Sequence, residues 1–128
     1  MSVHQIALIP GDGIGPEVTR AARDVVDAAG VAVEWIEALA GAAAEREAAA
    51  PLPEATIEAI RRHAVALKGP TATPFGGSYR ITFEGHRADG SARSYPSITV
   101  ALRKELGLYV NVRPVNWVWV ARMPVSMM

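Results

Sequence analysis

"LIPGDGIGPEV", residues 8–18, decides how the chain begins to fold. Residues 3–9, "VHQIALI", read as a β-strand that Pro10 and Gly11 end. From Pro16 the apolar period changes from strand to helix. Val18, Ala21, Ala22, Val25, Val26 and Ala29 recur at helical spacing, Pro16 and Glu17 suit a first turn, and Gly30 supplies a stop. A glycine-rich turn between strand and helix suggests a dinucleotide fingerprint, but the spacing refuses it. Counted from Gly11, the third glycine falls at Pro16; counted from Gly13, it falls at Val18. That third glycine is what lets helix and strand pack closely in a Rossmann fold. Glu34 stands roughly twenty residues on, where a ribose-binding acid would be, but one acid carries little weight. An anion at the helix N-terminus and a purely structural turn both stay open.

Outward from this turn, strands alternate with helices. "VAVEWIEAL" (31–39) alternates as a second strand, and the alanine-rich 40–50 suggests a short helix or an ordered loop. "LPEATIEAIRRHA" (52–64) is a helix carrying Ile57 and Ile60, and "AVAL" (64–67) follows as a third, buried strand. Residues 78–96 read as a hairpin turning at "ADGS". A helix over 97–106 starts on the N-cap residue Ser97 and stops at Gly107, and "LYVNVRPV" (108–115) alternates as a last strand. The expected fold is α/β, a mostly parallel sheet with flanking helices.

Composition bounds the function. The 128 residues, half of them apolar, suffice for one core. Thirteen basic residues balance thirteen acidic ones, so there is no electrostatic footprint for nucleic acid or an anionic membrane. There are no cysteines, which removes disulfides and thiolate metal sites and fits a reducing cytoplasm. No signal peptide and no apolar run of about eighteen residues is present, so a cytoplasmic location is expected.

Two further stretches could carry chemistry. "ALKGPTATPFGG" (66–77) ends a strand with a cation and hydroxyls, Lys68, Thr71 and Thr73, on a path stiffened by Pro70 and Pro74. Ligands gather at such strand ends in open α/β sheets; a surface lysine on a rigid connection is the plain alternative. On the helix 97–106, Thr99 and Arg103 share a face and Ser97 caps the same end. Arg113 shares a strand face with Tyr109 and Asn111, one glycine beyond the helix. Two arginines and two hydroxyls suit a small polyanionic acid, because guanidinium grips carboxylate at two points. Against this, Arg103 could pair with Glu105 or another acid, and Arg113 could simply face solvent.

"LIPGDGIGPEV" (8–18), "LPEATIEAIRRHAVALKGPTATPFGG" (52–77) and "SITVALRKELGLYVNVRPV" (97–115) stand together in an order that resembles the isocitrate/isopropylmalate dehydrogenases, the metal-dependent β-decarboxylating family. The resemblance covers most of residues 3–115 and implies the family's own fold, which is not Rossmann. It implies that Ser97, Thr99, Arg103 and Arg113 bind the substrate, a 2-hydroxy di- or tricarboxylic acid, and that Lys68 and Thr73 lie on the cofactor side. NAD or NADP and Mg2+ or Mn2+ are the cofactors of the complete enzyme, which is a homodimer. The polar Ser97/Thr99 pair favours isocitrate over isopropylmalate, whose alkyl group wants an apolar wall. Thr99 stands where isocitrate dehydrogenases usually carry asparagine, which leaves homoisocitrate and tartrate as further substrates to consider.

Two departures qualify the resemblance. Residues 78–96 exceed the family's short link and read as an inserted hairpin. The motifs end at Val115, and residues 116–128, "NWVWVARMPVSMM", form an unmatched tail that reads as a cut-off or out-of-frame ending. Family members continue well past this point, into the part that holds the catalytic tyrosine and lysine and the metal-binding aspartates. No catalytic residue and no metal ligand is therefore assigned in this chain. Residues 1–115 are expected to be the N-terminal part of a dehydrogenase large domain, incomplete, inactive alone and prone to self-association.

Overall fold

The computed structural model describes residues 3–72 and 80–114. A parallel three-stranded sheet forms one half: β1 (His4–Ile9) lies at its centre, flanked by β2 (Val33–Glu37) and β3 (Ala66–Lys68). Three helices accompany it: α1 (Gly15–Ala28), α2 (Ala42–Ala48) and α3 (Glu54–His63). An antiparallel hairpin, β4 (Ile81–His86) and β5 (Ala92–Tyr95), then leads into α4 (Ile98–Glu105). Its turn closes with Gly90 N–H donating to the Arg87 carbonyl at 2.9 Å. Among the described residues no helix is long and apolar enough to cross a membrane.

The centre strand is buried on both faces at its C-terminal half, Ala7, Leu8 and Ile9 being 0, 5 and 0% exposed. That is why this stretch reads as a continuous apolar run rather than an alternation. Ile9 packs into one cluster with Leu52, Ile57 and Ile60 and with Ile81, Phe83, Tyr95, Ile98 and Leu102, so hairpin and α4 share the core of the parallel sheet. β3 departs from expectation: it is an edge strand with Ala66 exposed and Leu67 and Lys68 half-buried, because β1 alone pairs with it among the described residues.

The first helix also packs differently from its apolar pattern. Gly15 and Thr19 are its buried residues, with Ala22 and Val26 half-buried, while Val18 and Val25 stay 49 and 70% exposed. Small residues form the contact because the helix start sits on backbone. A methyl carbon on Gly15 would lie 2.3 Å from the Pro10 carbonyl oxygen. The same crowding runs across the loop pair that follows β1 and β3. Gly69 N–H donates to Ile9 O at 2.8 Å and Asp12 N–H to Pro70 O at 2.7 Å, so the parallel ladder continues past both strand ends. A methyl carbon on Gly69 would sit 2.0 Å from Pro10 O, and one on Gly11 2.0 Å from Pro70 O. Only glycine permits that approach.

Residues 108–114 do not form the expected strand; they are irregular and exposed, with Tyr109 94% and Val112 77% accessible. The alternation is present in the residues, but no described strand offers them a ladder, and a strand exists only through its partner. The turn before them is well defined. Gly107, at φ +64°, lets its N–H reach Lys104 O (3.3 Å) and the Leu108 N–H reach Arg103 O (2.9 Å), a Schellman closure of α4.

A polar network fastens the hairpin to both later helices. Arg93 donates from Nη2 to Glu105 Oε2 and from Nη1 to Glu54 Oε1, both at 2.8 Å, and its guanidinium lies over the Phe83 ring. Tyr95 donates its hydroxyl to Glu105 and accepts from Arg87 Nη2 at 2.7 Å. Arg61 adds a bond to the Glu105 backbone carbonyl at 2.8 Å. The Arg93 guanidinium holds the Glu105 carboxyl below its ordinary 4.5, against burial and with help from the Tyr95 hydroxyl.

Two predictions follow from this packing. Gly69→Ala should cost about 3 kcal/mol or more, because neither Pro10 nor the Gly69 ladder bond can give way. Gly13→Ala, with nothing within 4 Å and only a φ of +58° to strain, should cost about 1–2 kcal/mol. Denaturant titration giving the reverse order would show that the two loops do not meet as described. For Glu105 the sign is that of a depressed acid: its contribution is present at neutral pH and lost as pH falls through and below the ordinary value of 4.5. Glu105→Gln should therefore lower stability at pH 7 by about 1–3 kcal/mol and flatten the acid limb of stability against pH.

Candidate functional site

The C-terminal edge of the parallel sheet is built around Asp12. Its backbone is held by Pro70 O, and its carbonyl accepts the Gly15 N–H at 2.9 Å, which closes the turn into α1. Its carboxylate then reaches two other segments: Oδ1 accepts from Ala42 N at 2.8 Å, at the start of α2, and Oδ2 from Ala72 N at 2.8 Å, in the loop after β3. Gly41 leaves the room for it, since a methyl carbon there would meet Oδ2 at 2.2 Å. The glycine-rich loop is thus a junction whose Asp12 and Gly15 amides are already used, with a carboxylate at its centre. Those two donors are not open to a pyrophosphate, and the carboxylate beside them would repel one.

Lys68 stands beside this junction at the end of β3. Its Nζ donates to Gly69 O and to Thr71 Oγ1, each at 3.0 Å. Burial pulls the ammonium below the usual lysine value, and the nearby Asp12 carboxylate acts in the opposite sense. A cation tied to its own loop and placed next to an acid is a positioned group, not a freely swinging surface lysine. Thr73, expected to share this edge, lies outside the described residues.

On α4 the two faces divide cleanly. Ile98, Ala101 and Leu102 are buried, and Thr99 and Arg103 lie on the exposed face. Ser97 caps the helix, its Oγ accepting from Val100 N at 3.3 Å. The hydroxyl proton of Ser97 is not used in that bond. The plain alternative of an Arg103–Glu105 pair does not occur, because Glu105 is taken by Arg93, Arg61 and Tyr95. The structure therefore brings Ser97, Thr99 and Arg103 onto one short helix. Arg113 sits apart on the exposed 108–114 segment, where the strand face that would align it with Tyr109 and Asn111 is not formed. Between described residues, no hydrogen bond or ion pair joins α4 to Lys68.

Residues 5–126 match the family described as isocitrate/isopropylmalate dehydrogenase. The chain belongs to that family. It is similar to the NADP isocitrate dehydrogenase of Haloferax volcanii, at 44% identity over 85% of this chain and 23% of the relative. It is 41% identical to the chloroplastic 3-isopropylmalate dehydrogenase of Solanum tuberosum over 84% of this chain and 26% of the relative. Among solved structures, isocitrate dehydrogenase from Methylococcus capsulatus aligns with a TM-score of 0.67 at 43% identity, over 83% of this chain and 26% of that one. A β-decarboxylating dehydrogenase from Thermococcus kodakarensis aligns with a TM-score of 0.61. The chain thus spans about a quarter of the length of these dehydrogenases. The family match runs past Val115 into residues that the three sequence motifs leave out.

Sequence reasoning missed Asp12 and the Arg93–Glu105–Tyr95 network. An aspartate between two glycines is a visible signal for a side chain that binds backbone, but its partners lie 30 and 60 residues away. Removing it tests the junction. Asp12→Ala leaves the Ala42 and Ala72 amides without their acceptor and should cost about 2–4 kcal/mol. Asp12→Asn, which keeps one acceptor oxygen, should recover part of that. Equal stability of all three proteins in urea titration would remove Asp12 from its structural role.

Proposed function

We propose that the chain is the N-terminal, substrate-positioning segment of an isocitrate dehydrogenase-like enzyme. The reaction is the oxidative decarboxylation of a 2-hydroxy di- or tricarboxylic acid with NAD or NADP, isocitrate being the first substrate to test. The observation that carries this reading is the outward face of α4, where the Ser97 cap, Thr99 and an Arg103 free of carboxylate partners among the described residues stand together. Arg103 takes a substrate carboxylate in two-point fashion, and the unspent Ser97 proton supplies a hydrogen bond to the same anion. Arg113 adds a second guanidinium from the following segment. The resemblance puts Lys68, and Thr73 outside the described residues, on the nicotinamide side, and burial lowers the Lys68 ammonium below its ordinary value.

The groups that the chemistry needs do not all fit the residues at hand. Among the described residues no three of His, Cys, Asp and Glu stand together as a metal site. In the Gly11–Glu17 loop the Asp12 carboxylate stands where a dinucleotide phosphate would want donors, and the Asp12 and Gly15 amides are already used. What the residues at hand do is bind and orient the acid. On this reading the isolated 128-residue chain turns over no substrate.

A second reading is a non-catalytic module that binds a carboxylic acid or pairs with another chain. Exposed apolar residues favour it: Ile14 at 68%, Val25 at 70% and the run from Leu108 to Val112 invite self-association. Two measurements test both. Purified chain with isocitrate, NAD or NADP, and Mg2+ or Mn2+ should form no NAD(P)H; detectable formation overturns the inactivity. Calorimetry should show isocitrate binding that Arg103→Ala weakens by about tenfold or more. Binding that ignores the substitution would remove α4 from the site under either reading.

A further inference from the structure

The hairpin, α3 and the end of α4 line an open polar cleft of about 580 Å³, on the opposite side of α4 from Thr99 and Arg103 in residue register. Its charges divide into a spent set and an unspent set. Glu54 and Glu105 both bond to Arg93, and Arg61 lies 3.8 Å from the Glu105 carboxylate while donating to its backbone carbonyl. Two acids are thus answered by two arginines. Arg87 and Lys104 also line the cleft, and neither has a carboxylate within ion-pair distance among the described residues. Asp89, near Arg87 in the turn, accepts at Oδ1 from the Ser91 amide and hydroxyl.

Both cations are set up for an outside anion. Arg87 is held against Tyr95, its Cζ 5.0 Å from the ring centroid, with Nε and Nη2 donating to the phenol oxygen. That leaves Nη1 uncommitted and the guanidinium already ordered, so an anion pays little conformational entropy to meet it. Lys104 stands in the last turn of α4, where a cation ordinarily serves the helix carbonyls. Here Gly107, Leu108 and Arg61 already donate to the carbonyls of Lys104, Arg103 and Glu105. His86 borders the same cleft and adds a donor.

We propose that this cleft binds the phosphate group of a small molecule, with Arg87 and Lys104 supplying the two charges and His86 a further hydrogen bond. A phosphate dianion matches two unpaired cations and three donors, where a lone carboxylate brings one charge. Two unpaired cations are too few for a polyanion such as nucleic acid, which takes an extended basic surface.

The test is calorimetric titration of the full chain with inorganic phosphate at low ionic strength, alongside isocitrate. Saturable one-to-one phosphate binding should weaken about tenfold or more in Arg87→Gln/Lys104→Gln, less in Lys104→Gln alone, and stay within about twofold in Lys104→Arg, which keeps the charge. Arg103→Gln should leave phosphate binding within about twofold while it weakens isocitrate, which separates this site from the substrate face. Far-UV circular dichroism of each variant checks that the fold is kept, Lys104 being exposed and Arg87 half-buried. No saturable phosphate binding, binding indifferent to the double variant, or binding lost with Arg103 would each overturn the proposal. Glycerol 3-phosphate binding more tightly than inorganic phosphate names an ester as the ligand, and weaker binding names the free ion.

Discussion

The contact on which the rest of the structure depends is the approach of two loops at the C-terminal edge of the sheet. Pro10–Asp12 and Gly69–Pro70 run side by side at backbone distance, tied by Gly69 to Ile9 and by Asp12 to Pro70. The Asp12 carboxylate then gathers the start of α2 and the loop after β3. Lys68 is placed by this junction, and α1 must begin where Gly15 can sit on Pro10. A ligand at the edge of the sheet would meet a preformed surface whose polar groups are largely spent on each other. That is a scaffold's arrangement.

The second organising feature is the Glu105 hub. It couples a hairpin to α3 and α4 through an acid whose side chain is 9% exposed and an arginine that is 18% exposed. Removing one partner of such a pair costs more than the pair contributes, because the other charge stays desolvated. The consequence for function is placement. Since the network and the Ile98–Leu102 face hold α4 from one side, Ser97, Thr99 and Arg103 are presented on the other. The hairpin that reads in sequence as an addition therefore has a part in orienting the proposed substrate helix, and it supplies one wall of the cationic cleft.

Much of this was legible from the residues, and the failures have physical causes. Strands β1 and β2, helices α1 to α4 and the hairpin stand within a few residues of where periodicity, caps and turn residues put them. The Ser97 cap and the Gly107 stop are local chemistry, and local chemistry is readable. The valines of α1 misled because helical spacing names an apolar stripe but not what covers it; Gly15 and Thr19 made the contact instead. The expected strand over 108–115 misled because alternation states a capacity for pairing and not the presence of a partner. Within the candidate site, the shared face of Thr99 and Arg103 followed from a four-residue spacing, whereas the alignment of Arg113 with them rested on that unformed strand.

Sequence by itself determined the order of strands and helices, the helix caps, the absence of a dinucleotide fingerprint and the membership suggested by three motifs in series. The caps and the failed fingerprint depend on residues within about one or two turns of one another, where covalent geometry limits the outcomes, and the order of elements and motifs is written in the chain itself. Tertiary structure alone decided that Asp12 bonds across 30 and 60 residues, that Glu105 goes to Arg93 rather than Arg103, and that Arg87 and Lys104 share a cleft. Those choices are made by competition among distant groups for the same desolvated space. No spacing along the chain records which of them wins.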